Sequence, residues 1–69
     1  MSLEDDELAT LKFRIYRDGQ SLWWWRLSAP NRGSIANCSQ GFENRAECER
    51  EIDLVKAAAA RAYVVEESM

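Results

Sequence analysis

An alternation interrupted once by a turn constrains this chain more than any other feature. From Leu11, apolar Leu11, Phe13 and Ile15 take turns with Lys12, Arg14 and Tyr16, the period of a strand with one buried face. Asp18-Gly19 supplies turn chemistry. The run Leu22 to Ala29, LWWWRLSA, then suits a second pleated strand. For Trp23, Trp25 and Leu27 to share a core with Phe13 and Ile15, the hairpin loop must hold an odd number of residues. Gly19, Gln20 and Ser21 meet that condition. The resulting register sets Ile15 against Trp25, Phe13 against Leu27, Tyr16 against Trp24 and Arg14 against Arg26. Arg14, Tyr16, Trp24 and Arg26 thereby share the opposite face and form the candidate interface.

Pro30-Asn31-Arg32-Gly33 reads as a second turn, with Pro30 leading and Gly33 free to take a positive φ. A weakly patterned edge strand is expected over 34–39, where Ile35 is the one large apolar residue. Asn44, with Glu47 three residues on, has the form of a helix start. From Arg45 to about Ala60 the residues favour or tolerate helix, and Cys48, Ile52, Val55, Ala59 and Ala62 recur at helical spacing as a narrow buried stripe. Ala57 to Ala60 either let the helix lie close to the sheet or simply favour helix. Ala62-Tyr63-Val64-Val65 turns β-branched and suits a short fourth strand. The expected fold is α+β: a three-stranded antiparallel sheet, with a possible short fourth C-terminal strand, and one long helix packed on one face. Residues 1–10 read as an acidic flexible lead-in, 11–65 as a single βββα domain and 66–69 as a tail.

A chain of 69 residues buries only roughly 60% of the surface its unfolded form exposes, so a disulfide, a metal or a partner chain is the usual supplement. The sequence has no histidine, which removes the commonest metal ligand and the usual general base near neutral pH. Cys38 and Cys48 lack zinc-site spacing and read as small buried hydrophobes. Neither has a histidine to activate it, and Glu47 and Glu49 beside Cys48 would raise its thiol pKa. No signal-like start and no membrane-length apolar run is present, so the expected compartment is a reducing cytoplasm. No catalytic residue, cofactor or metal site is expected, and no enzymatic activity.

Net charge is −3, unevenly spread. Residues 1–10 carry four acids and no base, residues 11–32 five bases and one acid, and residues 33–69 four bases and seven acids. The middle third is locally basic, with its bases among aromatics.

FRIYRD at 13–18, WWRLSAPN at 24–31, IANCSQGF at 35–42 and AECEREIDLVKAAA at 46–59 resemble the YegP-like domain of unknown function, a small βββα module found singly or as a tandem pair. Single-copy members look like halves of the tandem arrangement, and the resemblance therefore implies dimerisation. Trp24 stands where the family usually has a polar or basic residue, giving a more apolar outer sheet face. Arg32 follows Asn31 where a turn glycine is usual, and Glu51 occupies a position that is often glycine. The resemblance brings no catalytic residues.

One helix covers one side of a three-stranded sheet, and aromatics with arginine are the composition of interface cores. The first expectation is a non-enzymatic homodimer whose second sheet face, or sheet edge, is buried by its twin; the alternative for Trp24 is to lie across its neighbours at a wet surface. The second is single-stranded nucleic-acid binding, with bases on Trp24 and Tyr16 and phosphates on Arg14, Arg17, Arg26 and Arg32. A pI near 4.8 weighs against it. Neither a membrane nor a small-molecule substrate is indicated.

Overall fold

The computed structural model describes residues 11–68. Three strands, β1 (Lys12–Arg17), β2 (Trp23–Ala29) and β3 (Gly33–Asn37), are followed by one helix, α1 (Arg45–Ala58), and a 3-10 turn (Ala59–Arg61). The sheet is antiparallel throughout, in the order β1-β2-β3, with β2 in the centre.

The hairpin has the register that parity demands: Phe13 opposite Leu27, Arg14 opposite Arg26, Ile15 opposite Trp25 and Tyr16 opposite Trp24. Asp18 N–H donates to the Leu22 carbonyl at 2.9 Å, which leaves Gly19, Gln20 and Ser21 as the loop. Ser21 N–H returns to the Asp18 carbonyl at 3.1 Å, closing a turn after which Ser21 itself is left-handed at φ 68°. That is the usual build of a three-residue hairpin loop, although glycine normally fills the left-handed position.

Gly33 takes the positive φ expected of it, and Arg32 N–H bonds to the Ala29 carbonyl at 3.3 Å. Observed β3 begins one residue earlier than expected and ends two earlier, at Asn37. Its ladder is irregular: Ser34 pairs with Ser28 and Ala36 with Leu27, so Ile35 has no opposite number. Such an extra residue is a β-bulge, which bends and twists the strand. The chain then returns to β2, and Trp23 and Phe42 exchange backbone hydrogen bonds at 2.7 and 2.8 Å.

Asn44 caps α1 as its sequence predicts, its Oδ1 accepting from Glu47 N–H at 3.2 Å. Cys48 and Ile52 are buried and Val55 is half-buried. The expected stripe stops there, because Ala59 and Ala62 are exposed. All of Ala57 to Ala60 is exposed too, so these alanines serve helix formation and not close approach to the sheet. The core consists of Trp25, Cys38, Cys48 and Ile52, with Phe13, Ile15, Trp23, Leu27, Phe42 and Val55 packed half-buried around it and Trp24 reaching it from the other side of the sheet. Phe13 meets Trp25 edge to face, ring centroids 5.5 Å apart.

The possible fourth strand is not formed within the chain. Residues 62–68 adopt no regular element, and Tyr63, Val64 and Val65 are exposed. A strand needs a ladder partner for its backbone groups, and none of the three strands pairs with this segment. The acidic lead-in, residues 1–10, lies outside the described residues.

Candidate functional site

The uncovered face of the sheet is organised in rows across the strands. Lys12 lies opposite Ser28, which lies opposite Ser34; Arg14 lies opposite Arg26, which lies opposite Asn37; Tyr16 lies opposite Trp24. The register therefore assembles the four candidate interface residues on one face.

Asp18 anchors one end. Its Oδ1 accepts from the Gln20 and Leu22 amides, each at 2.9 Å, and its Oδ2 accepts from the Trp24 indole N–H at 2.7 Å. The Leu22 amide, followed by the Trp24 indole, holds its pKa below the ordinary 3.8. Trp24 is thus tied to the hairpin turn, and its ring lies over Gly41. A Cβ at Gly41 would come within 2.8 Å of Leu22 Cβ and 2.9 Å of Trp24 Cε2. The glycine is there for that close approach. Trp24 ends half-buried across its neighbours.

Arg14 and Arg26 face each other on adjacent strands, a repulsive arrangement, and they part along opposite diagonals. Arg14 Nε donates to Ser28 Oγ at 3.2 Å. The Arg26 guanidinium lies 5.3 Å from the centroid of Tyr16, a cation–π contact. Between them the face dips into an open concavity of about 510 Å³, bounded by Lys12, Arg14 and Arg26 and floored by Ser28, Gly33 and Ser34. No carboxylate lines it.

Arg17, grouped with these arginines in the nucleic-acid reading, lies elsewhere. It pairs with Trp23, and the guanidiniums of Arg17 and Arg45 each lie 5.5 Å from the Trp23 ring. Arg32 sits in the β2–β3 turn. Lys12, Ser28 and Ser34 were not among the sequence candidates, yet extending the hairpin register two residues past Arg14 and Arg26 places Lys12 and Ser28 beside them.

Behind the sheet, both thiols are free and buried. Cys38 Sγ accepts from the Trp25 amide at 3.3 Å. Burial above all, then Cys38, Glu51 and Glu49, pushes the Cys48 thiol pKa up. Glu51 bridges helix to sheet: its Oε1 accepts from the Trp25 indole N–H at 2.6 Å. Among the described residues no cluster of His, Cys, Asp and Glu is arranged to hold a metal, and no helix is long and apolar enough to cross a membrane.

The sequence pattern of DUF1508, a domain of unknown function, matches residues 18–66. UPF0339 proteins of Neisseria meningitidis serogroups B and A are each 35% identical over 54 residues, spanning 78% of this chain and 95% of theirs. The solution structure of a protein from Haloferax volcanii superposes with a TM-score of 0.75 at 26% identity, covering 83% of this chain and 95% of the other.

Proposed function

We propose, from the premise that this chain belongs to the DUF1508 family, that it is a non-enzymatic interaction module acting as a homodimer, each copy supplying the other with a fourth strand. The observation that carries this reading is the segment after the 3-10 turn. Ala62 is extended, at φ −68° and ψ 138°, and Tyr63 and Val65, 92% and 73% exposed, flank a fully exposed Val64. β-branched and aromatic residues of this kind suit a strand and here lack a ladder partner within the chain. The family match runs through this segment to residue 66, which supports its belonging to the domain.

The receiving surface is the β1 edge. Among the described residues no strand pairs with its outer side, and beside it an apolar groove of about 510 Å³ runs between Phe13, Leu27, Ile52 and Val55. A second copy's Tyr63 and Val65 fit this groove while the backbone between them completes the ladder, a mode of strand addition in which main-chain bonds give affinity and side-chain pockets give specificity. Stacking two outer faces is the weaker geometry, since it opposes Lys12, Arg14 and Arg26 to a second set of the same cations. Two free thiols suit a reducing compartment, and we place the protein in the cytoplasm. Single-stranded nucleic-acid binding ranks second, because Tyr16 is engaged by Arg26 and Trp24 lies over Gly41, leaving few open faces for bases.

Sedimentation equilibrium at tens of micromolar is expected to return a dimer. Truncation after Arg61 is expected to abolish it, with circular dichroism reporting whether the released chain remains folded. A full-length monomer at that concentration overturns the reading; a truncated chain that still dimerises overturns the strand exchange.

A further inference from the structure

We propose that the concavity between Lys12, Arg14 and Arg26 is a binding site for the phosphate group of a small phosphorylated molecule. Three cations border it, no carboxylate enters it, and among the described residues no carboxylate pairs with any of the three. The chain as a whole carries −3, whereas residues 11–32, which supply all three cations, carry five bases against one acid. Like charges set directly across two strands destabilise a sheet, and here the arginines avoid each other only by reaching for a hydroxyl and a ring. An oxyanion seated between them converts that repulsion into two charge-assisted interactions. Guanidinium forks are built for this geometry.

The floor fits the same ligand. Ser28 and Ser34 face each other across β2 and β3; the Ser28 hydroxyl oxygen accepts from Arg14 and keeps its proton to donate, while the Ser34 hydroxyl leans on the Ala36 carbonyl at 3.5 Å. Arg14 already holds Ser28 in place at 3.2 Å. At about 510 Å³ the space lies within the range of small-molecule sites and leaves room for a substituent beyond the phosphate. The phosphate of a nucleic-acid strand has the same chemistry, but a strand also asks for stacking platforms. Tyr16 and Trp24 are engaged by Arg26 and by the Gly41 contact.

The test is a heteronuclear NMR titration of the full-length protein with inorganic phosphate at low ionic strength, where surface electrostatics are least screened. Saturable shifts are expected at the amides of Ser28, Gly33 and Ser34 and at Arg14 Nε. Arg14→Gln and Arg26→Gln are each expected to weaken binding about tenfold, as the loss of a charge-assisted contact implies, whereas Arg50→Gln on the exposed helix surface leaves it unchanged. Both arginine side chains are exposed, and the spectra of the variants confirm the fold. Shifts that fail to saturate, or that fall equally with Arg50→Gln, overturn the site. A parallel titration with a short oligothymidylate separates the sources: a response confined to the oligonucleotide overturns the assignment to a small phosphorylated molecule.

Discussion

Trp24 and Trp25 are neighbours in sequence, face opposite sides of the sheet, and each gives its indole N–H to a carboxylate. Trp25 donates to Glu51 on α1 and so ties the sheet to the helix across 26 residues of chain; Trp24 donates to Asp18 and closes only six. The same chemistry serves tertiary structure on one side and a local turn on the other. Trp25 is 5% exposed at the centre of the core, while Trp24 stays half-buried at one end of a face that is otherwise open. Removing Trp25 therefore removes the fold's long-range connection, whereas removing Trp24 loosens a hairpin that the ladder still holds.

The largest effect that would sharpen this contrast belongs to Trp25→Ala, which is expected to cost about 3–5 kcal/mol as a core truncation. For a domain of this size that means loss of cooperative unfolding in a urea melt; a folded variant would break the comparison. Glu51→Ala isolates the tie without emptying the core. Alanine keeps helix propensity, so the expected loss of about 1–3 kcal/mol in chemical denaturation comes from an indole N–H deprived of its charged acceptor.

On the other face, Trp24→Phe keeps a ring over Gly41 and removes the N–H, at an expected cost of about 0.5–1.5 kcal/mol. Its acid limb also changes. Asp18 has a folded pKa below its ordinary 3.8, so its contribution is fully present above the unfolded value and is lost as pH falls from about 4 through the folded pKa. Without the indole bond the folded pKa rises toward the ordinary value. The urea midpoint of Trp24→Phe is then expected to fall less than that of the parent between pH 5 and 2, and an equal fall would sever Trp24 from the turn.

The smallest change is a gain. Ser21 sits at φ 68°, where a side chain is strained, and Ser21→Gly is expected to stabilise by about 0.5–1 kcal/mol, the relief of a left-handed residue less the entropy of glycine. A thermal melt shifted downward would show that Ser21 makes a compensating contact.

The hairpin was legible because parity and an odd loop leave one register that turns Phe13, Ile15, Trp25 and Leu27 together toward the helix. The helix start was legible because Asn44 and Glu47 are local chemistry. The bulge at Ile35 was not, since a short edge strand with one large apolar residue has no period to interrupt. The seat of Trp24 was hidden for another reason: Gly41 lies seventeen residues away, and close approach leaves no periodic trace. The cationic concavity was half-visible, with Arg14 and Arg26 drawing notice through their neighbouring aromatics. Lys12, Ser28 and Ser34 join them only when the register is followed beyond the apolar pattern. The composition of Tyr63, Val64 and Val65 announced a strand that the sheet does not include, because β-propensity alone supplies no ladder partner.

The irregularity of β3 also bears on how such a molecule can multiply. A sheet with two flat, regular edges admits head-to-tail growth, because the exposed edge of the last copy always offers the template that the first one used. The unpaired Ile35 spoils that symmetry by breaking the hydrogen-bond spacing and adding twist along one border. An irregular border is a poor template for a further strand, whereas β1 keeps an unbroken register with β2 along its length.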